Sequence, residues 1–370
     1  MTELVSGRDV LRQARALYAH YRPAVEPTGM KVAVIRFTPA DTDPPDWRVR
    51  LEASRISAEQ KIKSFEHLGF RADHVVLPPG VDRRAFREVL EGYNADPATR
   101  AIIVQFPPPR DLAPVVDGMD PAKDIDALLK GRSPYPACAT AEGIYRVAEP
   151  FATDRPAIAV VGGKGFVGQG VVNMLRANGH DPMTLDYGDR LERVRDADIV
   201  ISVTGSPGIL TPDHIRPHHR VVIDSGFVPQ ADGSVRGDVR AEAYTVPQNI
   251  TPVPGGIGPV EMATLMERVV RQEVDPNVVP WKAAPGPYLE RARFTADRTT
   301  AATAATATTA TAPSIAAAAR LRGTAAPAAG APPASAQPAT APRLPGRQAA
   351  PRLPPQGGGG PSQGGGGPSR

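Results

Sequence analysis

Apolar residues recur at two different spacings along the first three quarters of the chain, and the two patterns alternate. Apolar positions from Val10 to Tyr21 follow the spacing of a helix, and Ser6 is placed to cap that helix. The uninterrupted run VAVIRF, residues 32–37, is typical of a strand that is buried in a parallel sheet. Strands that alternate with helices predict an α/β fold.

The first half of this pattern predicts a three-layer α/β domain, to which we assign residues 1–147. Its predicted strands are residues 32–37, 74–77 and 101–105, and its further helices are residues 54–68 and 83–93. Three prolines and three aspartates between residues 38 and 46 predict a loop.

A glycine-rich turn opens the second half of the pattern. Residues 163–168 read GKGFVG, which matches G-x-G-x-x-G between a predicted strand at 157–161 and a predicted helix at 168–178. Glycines in such a turn let backbone N–H groups approach a pyrophosphate at a helix N-terminus. The alternative is a tight turn without a ligand. The flanking elements favour a Rossmann-type dinucleotide-binding domain, residues 148–258.

The next predicted strand, residues 182–186, ends on an acidic residue. Asp186 lies about twenty residues beyond the turn, where a carboxylate accepts hydrogen bonds from the ribose of NAD and repels the 2′-phosphate of NADP. The sequence therefore favours NAD. A solvent-facing aspartate is the alternative, and Tyr187, Arg190 or Arg193 could reverse the preference by binding a phosphate. Further strands are predicted at 198–203 and 221–224, and helices at 191–195 and 259–274.

Composition changes after about residue 275, where Ala, Thr, Pro, Gly and Arg dominate. This segment carries about ten Lys or Arg against three Asp or Glu, so the pI of 9.3 describes it and not the rest of the chain. We predict a disordered tail over residues 275–370 and no nucleic-acid partner. Its repeated APRLP segment, at residues 341 and 350, leaves a partner-binding role open.

The cysteine content and the apolar runs bear on the compartment. A single cysteine, Cys138, excludes an intrachain disulfide framework and fits a reducing compartment. The N-terminus shows no secretory signal, and no run approaches 18 apolar residues. We expect a soluble, cytoplasmic protein without a membrane partner, and we assign no metal ligands.

Four segments carry a family resemblance: VQFPPP at 104–109, KDIDAL at 123–128, VGGKGFVG at 161–168 and TPVPGGIGPVEMATLM at 251–266. The chain resembles the bifunctional methylenetetrahydrofolate dehydrogenase/methenyltetrahydrofolate cyclohydrolase family over residues 7–274. The resemblance implies a catalytic α/β domain, a Rossmann domain and a closing helix, residues 259–274, that packs back on the first domain. It also implies a homodimer in which a tetrahydrofolate-bound one-carbon unit, as small-molecule substrate, meets NADP or NAD in the cleft.

The resemblance also places three catalytic residues on this sequence, Lys61, Gln105 and Asp126. A lysine buried beside the cationic methenyl group has a lowered pKa and can move protons, so we expect this of Lys61. Gln105 is expected to hydrogen-bond the lysine amine, and Asp126 to receive the donor edge of the pterin ring. Without the family, Lys61 would be a solvated helix lysine, as we expect of Lys63.

Further residues are assigned to the two ligands through the same motifs. The residues assigned to the substrate, besides Asp126, are Ser57, Pro252, Pro254, Gly255, Gly256 and Glu261. Those assigned to the cofactor are Gly162, Gly163, Lys164, Gly165, Gly168, Asp186, Thr204 and Gly205.

The sequence departs from the family pattern on the substrate side. Ser57 stands where the family has a tyrosine, which predicts weaker cyclohydrolase activity or folate affinity, unless a ring such as Trp47 takes its place. Ala127 replaces a glycine, and the loop at 38–46 looks longer than usual. Glu261 replaces a threonine; it either stabilises the cationic one-carbon unit or belongs to the first turn of the closing helix, and we prefer the second.

The departures leave four functions open. The first is a bifunctional enzyme, and the second is a dehydrogenase with weak cyclohydrolase activity. The third is a divergent dehydrogenase that acts on another pterin-like substrate. The fourth is a non-catalytic paralogue that binds folate or dinucleotide, against which the retained Lys61, Gln105 and Asp126 argue.

Overall fold

The computed structural model describes residues 2–282 and the backbone of residues 291–293. No helix in this described part is long and apolar enough to cross a membrane. The strands are β1 (Glu3–Val5), β2 (Lys31–Phe37), β3 (Arg71–Leu77), β4 (Thr99–Val104), β5 (Ile158–Val161), β6 (Met183–Leu185), β7 (Ile199–Ser202), β8 (Val221–Asp224), β9 (Val228–Pro229), β10 (Val235–Arg236), β11 (Asn249–Ile250) and β12 (Arg291–Arg293).

Helices connect most of these strands, and three of the α-helices, at residues 22–25, 113–116 and 139–148, were not predicted from the sequence. The α-helices are α1 (Gly7–Tyr18), α2 (Arg22–Val25), α3 (Pro45–His67), α4 (Arg83–Ala95), α5 (Ala113–Val116), α6 (Ala139–Ala148), α7 (Phe166–Ala177) and α8 (Ile257–Glu273). Short 3-10 turns lie at Ala19–Tyr21, Glu26–Thr28, Pro121–Lys123, Glu149–Phe151, Leu191–Asp196 and Ala241–Ala243. The predicted cap is confirmed, since the Ser6 hydroxyl accepts the Asp9 N–H.

The first sheet is parallel and has the order β3-β2-β4. Successive side chains of β2 face opposite sides of the sheet. Val34 packs with Phe65 of α3 on one side, and Phe37 packs with Phe86 of α4 on the other, at 5.3 Å between ring centroids. The three-layer α/β arrangement predicted from the alternating pattern is confirmed.

The second sheet has the order β12-β1-β11-β8-β7-β5-β6 and is parallel apart from the edge strand β12. The Rossmann-type arrangement predicted from the glycine-rich turn is confirmed. Strand β1, which we placed in the first domain, pairs with β11 in this second sheet. The two sheets are therefore tied together by the N-terminal segment as well as by the central connection.

Helix α3 begins nine residues earlier than the sequence analysis predicted. Pro45 occupies its first position and Pro44 precedes it in an extended conformation. Proline is tolerated there because the first turn of a helix needs no N–H from that residue. The predicted loop at 38–46 therefore ends at Pro44, and the helix that carries Ser57 and Lys61 is longer and better anchored than expected.

Helix α8 packs against α1, α3 and α6, and most of its side chains are buried. The chain stays packed beyond it, because the buried Trp281 donates its backbone N–H to Glu267 Oε2 at 3.0 Å. The Arg146 guanidinium stacks on the Trp281 ring at 3.7 Å. The predicted tail boundary at residue 275 is thus too early. The rest of that segment, including both APRLP repeats, lies outside the described residues, apart from the β12 backbone.

Candidate active site

A cavity of about 540 Å³ lies between the two sheets and takes side chains from both halves of the chain. Its walls include, from the first half, Ser57, Lys61, Gln105, Phe106 and Asp126, and from the second half Phe166, Val167, Thr204, Gly205 and Glu261. All three catalytic candidates therefore meet in one cavity, although they are far apart in the sequence.

Lys61 lies at the bottom of this cavity with only 3% of its side chain exposed. Its Nζ donates to Ser57 Oγ at 2.8 Å, one helical turn earlier in α3, and to Glu261 Oε1 at 2.7 Å. Helix α8 begins at Ile257, and its first turn contains no acidic residue. Glu261 lies beyond that turn. The interpretation of Glu261 as a first-turn residue favoured by the helix dipole is therefore wrong. It is the ion-pair partner of the lysine.

The protein's own groups shift the pKa of Lys61 in the direction opposite to the lowering expected beside the substrate cation. Burial lowers the pKa of Lys61, but the negative charges of Glu261 and Asp126 outweigh it, so the pKa lies above its ordinary value. Burial raises the pKa of Asp126 to about 6; Lys61 opposes this effect and Glu261 adds to it. Two carboxylates thus face one buried ammonium group.

Gln105 and Asp126 have partners different from those expected. Gln105 is 5% exposed, and within the described residues its Nε2 has no hydrogen-bond partner and it forms no bond with Lys61. Asp126 Oδ1 accepts the Ala139 N–H at 2.9 Å, at the start of α6. An unpaired buried amide that lines a cavity is costly unless a ligand completes it, so Gln105 fits a group that contacts substrate.

Arg268 fixes the segment that carries Asp126, and the sequence analysis missed it. This fully buried residue donates to the carbonyls of Ile125 at 2.9 Å and Ala137 at 2.7 Å, on either side of the segment. It also binds Glu142 Oε2 at 2.6 Å. The one signal in the sequence is an arginine on the apolar face of a predicted helix, which requires a buried partner.

The glycine-rich turn joins the end of β5 to α7. A Cβ at Gly168 would lie 2.1 Å from the Gly162 carbonyl oxygen, and one at Gly163 would lie 2.4 Å from Thr184 Cγ2. Gly168 therefore needs to be glycine, because the clash is with the backbone, whereas a side chain at position 163 would require the Thr184 side chain to move. No side chain caps the first turn of α7, so its N–H groups can receive a pyrophosphate. The turn fits a nicotinamide dinucleotide.

Asp186 lies against this turn. Its Oδ2 accepts the Lys164 N–H at 2.9 Å and its Oδ1 accepts the Tyr187 N–H at 3.0 Å. These two N–H groups lower the pKa of Asp186, so it carries a negative charge at neutral pH. The preference for NAD over NADP, which depends on this carboxylate, stays a prediction.

Thr204 and Gly205 belong to a loop that a buried carboxylate holds in place. Asp238 is fully buried and accepts the Thr204 N–H at 2.8 Å and the Ser206 N–H at 2.9 Å, together with the Ser202 hydroxyl at 2.7 Å. Asp238 was not found from the sequence, because an aspartate in a loop carries no sign of burial. It fixes the wall of the cavity on the dinucleotide side.

The segment from Pro252 to Gly256 adjoins the cavity around Lys61 without lining it. Pro252, Pro254, Gly255 and Gly256 line a smaller cavity of about 90 Å³, which shares Glu261 with the cavity around Lys61. Pro252 and Pro254 also line a separate cavity of about 780 Å³ that contains none of the three catalytic candidates. Gly255 has a φ of +110°, which favours glycine. The structure thus brings these residues near the lysine but does not place them beside it.

An aromatic pair lines the same cavity as Ser57. Phe106 and Phe166 stack with 4.8 Å between ring centroids, and both remain about 40% exposed. Trp47 does not line the cavity and packs on the core between β2 and α4. The hypothesis that Trp47 replaces the missing ring is therefore wrong, and Phe106 and Phe166 supply the aromatic surface.

Fold and site together define a dinucleotide-linked enzyme with a buried lysine in the cleft between two α/β units. The model of the tetrahydrofolate dehydrogenase/cyclohydrolase catalytic domain matches residues 49–126, and that of its NAD(P)-binding domain matches residues 138–275. The chain belongs to this tetrahydrofolate dehydrogenase/cyclohydrolase family and binds NAD(P).

Individual relatives agree with the family. Bifunctional protein FolD 2 of Myxococcus xanthus is 35% identical over 243 residues, which are 62% of this chain and 83% of that protein. Bifunctional protein FolD of Streptococcus pneumoniae is 29% identical over 72% of this chain and 96% of its own length. A crystal structure of the Campylobacter jejuni FolD enzyme has the same fold, with a TM-score of 0.63 at 22% identity over 74% of this chain and 98% of its own.

Proposed function

We propose that this enzyme oxidises 5,10-methylenetetrahydrofolate to the 5,10-methenyl form with NAD(P), and hydrolyses the methenyl form to 10-formyltetrahydrofolate. One observation carries the proposal: Lys61, Gln105 and Asp126 line the same cavity as Phe166 and Thr204 on the dinucleotide side. Family membership and the bifunctional FolD relatives support both activities.

In the oxidation, a C–H bond of the methylene carbon breaks and the hydride leaves with both electrons. A nicotinamide ring held by the turn at residues 163–168 would accept this hydride. The carbon becomes cationic, with its charge shared by the two neighbouring nitrogens. The protein's part is to hold the carbon at near-attack distance and to balance this charge. Asp126 and Glu261 supply two negative charges against the single positive charge of Lys61.

In the hydrolysis, the oxygen of a water molecule bonds to the methenyl carbon and loses a proton. The hydroxyl left on that carbon then gives up its own proton as the formyl C=O forms and the bond to N5 breaks, and N5 takes up a proton, so that one proton is released overall. A neutral Lys61 amine can accept the first proton and return it. The buried Gln105 amide can orient the water or the substrate, because its Nε2 is unpaired in the described part of the chain.

A dehydrogenase with weak cyclohydrolase activity is a second candidate, and two observations favour it. Lys61 is held by an ion pair that raises its pKa, and Ser57 offers a short hydroxyl in place of a ring. The preference for NAD over NADP rests on the carboxylate of Asp186 at the turn. The homodimer and the closing-helix role of residues 259–274 rest on the family resemblance. The domain division at residues 147 and 258 rests on the order of strands and helices, and the cytoplasmic location on the single cysteine.

The experiment is a pair of spectrophotometric assays on the full chain. Purified protein is given 5,10-methylenetetrahydrofolate with NAD or with NADP, and separately 5,10-methenyltetrahydrofolate alone. Lys61→Met should reduce hydrolysis roughly a hundredfold, as loss of a positioned acid–base group does, and should reduce oxidation less. Lys63→Met is the matched control, because Lys63 is exposed on the same helix and should leave both rates unchanged.

Two results would count against the proposal. Absence of both reactions in the wild-type protein would remove the assigned function. Equal loss of both reactions in Lys61→Met, with Lys63→Met unaffected, would remove the specific role of Lys61 in hydrolysis while leaving the assigned family intact.

A further inference from the structure

The Lys61–Glu261 ion pair joins two elements that are far apart in the sequence. The residues are 200 positions apart, and their charged atoms lie 2.7 Å apart with 3% and 14% of the side chains exposed. Glu261 reaches the lysine from α8, while Ser57 holds the same Nζ from α3. The ammonium group is therefore fixed in one place from two directions.

We propose that Glu261 is a positioning residue that divides turnover between the two reactions of the proposed function, on which this inference rests. By pairing with Lys61 it keeps the lysine protonated, which favours oxidation of the methylene group over hydrolysis of the methenyl group. Glu261 acts through Lys61, and its charge decides which of the two chemical steps the cavity promotes.

The titratable groups that face Lys61 come from three elements besides its own helix. They are Glu261 on α8, Asp126 after the 3-10 turn Pro121–Lys123, and the thiol of Cys138 at the start of α6. Burial, together with Asp126, raises the pKa of Cys138 to about 12, so it stays neutral. With both carboxylates ionised, the buried group of Lys61, Glu261 and Asp126 carries one net negative charge.

This net charge has opposite effects on the two steps. Oxidation creates a cation on the one-carbon unit, and a fixed negative charge nearby stabilises the transition state that leads to it. Hydrolysis consumes that cation and needs a base for the water proton. A lysine held protonated by Glu261 cannot accept this proton, and a stabilised cation is attacked less readily.

A matched set of variants tests the inference. Glu261→Gln removes the charge and keeps the shape, and Glu261→Asp keeps the charge on a shorter side chain. Glu88→Gln is the control, because Glu88 forms an exposed ion pair with Arg84 at 2.8 Å, far from the cavity. Both rates are measured across pH for each protein, and the fold of each variant is checked by circular dichroism.

Removing the charge of Glu261 should lower the pKa of Lys61, since burial then acts against Asp126 alone. In Glu261→Gln the pH midpoint of hydrolysis should fall by about one unit or more. The ratio of hydrolysis to oxidation at neutral pH should rise roughly tenfold, because one unit changes the fraction of neutral amine about tenfold. Glu261→Asp should restore most of the wild-type ratio, and Glu88→Gln should match the wild type.

Several outcomes would overturn the inference. One is an unchanged pH midpoint in a folded Glu261→Gln protein, and another is an equal fall of both rates. If the Glu261→Gln protein does not fold, the pH profiles of the two rates in the wild-type protein test the inference instead. Wild-type hydrolysis must rise with pH along a limb that oxidation lacks, and absence of this limb refutes the inference. A wild-type protein without either activity would instead refute the proposed function.

Discussion

Replacing Arg268 by methionine should destabilise the protein and loosen the segment that carries Asp126. Arg268 is 1% exposed and donates to Glu142 and to two carbonyls, and its guanidinium lies 4.2 Å above the Tyr135 ring. Methionine replaces the aliphatic stem of the arginine, but it ends before the guanidinium group and leaves the carboxylate and both carbonyls without this donor. The change therefore tests chiefly the hydrogen bonds, with a smaller contribution from lost packing on the Tyr135 ring.

The expected loss of stability in Arg268→Met follows from the buried groups that the change leaves without a partner. Removing one partner of a buried ion pair costs about 3–5 kcal/mol. Glu142 retains a contact with Arg146 at 3.4 Å and is 16% exposed, which favours the lower end of this range. Each kcal/mol moves the thermal midpoint by about 2–4 °C in a domain of this size, so a loss near 3 kcal/mol lowers the midpoint by roughly 6–12 °C.

The assay is thermal unfolding followed by calorimetry, together with the two activity assays at a temperature below the transition. Arg271→Met is the matched control. Arg271 lies three residues further along α8 and binds Glu267 at 2.6 Å, but it is 38% exposed, so its loss should cost below about 1 kcal/mol. Equal shifts of the thermal midpoint in the two variants would refute the reasoning. An Arg268→Met protein that is destabilised but keeps its KM for folate would also refute it.

Three further predictions concern the cofactor and the acid limit of stability. Asp186→Asn keeps an acceptor for the Lys164 N–H but removes the charge, so kcat/KM for NADP relative to NAD should rise about tenfold in steady-state assays. Gly168→Ala would place a Cβ 2.1 Å from a carbonyl oxygen, so dinucleotide titration should show much weaker binding while methenyl hydrolysis is largely retained. The pKa of Asp96 is lowered to about 2, chiefly by Lys31, so its stabilising effect is present above pH about 4 and is lost as the pH falls to about 2; Asp96→Asn should flatten that limb in acid unfolding.

Local features were predictable from the sequence because their causes lie within a few residues. The strands at residues 32–37 and 221–224 and the glycine-rich turn each follow from composition and spacing alone, and the structure has them there. Strands β1 and β11 were not predicted, because segments of two or three residues carry no periodic pattern. The start of α3 was predicted too late, because two consecutive prolines indicate a loop unless the second one opens a helix.

The electrostatics of the site could not be predicted, for a reason that Glu261 illustrates. From the sequence, a glutamate near the start of a helix is adequately explained by the helix dipole. That explanation needs no partner, so nothing in the sequence indicates that one exists. The partner appears once α8 returns to pack on α3, which brings Glu261 to Lys61 across 200 residues. A lysine assigned as a base by resemblance then proves to be a paired ammonium in the protein without substrate. We therefore expect its reactivity to depend on whether the substrate cation displaces it from its ion pair with Glu261.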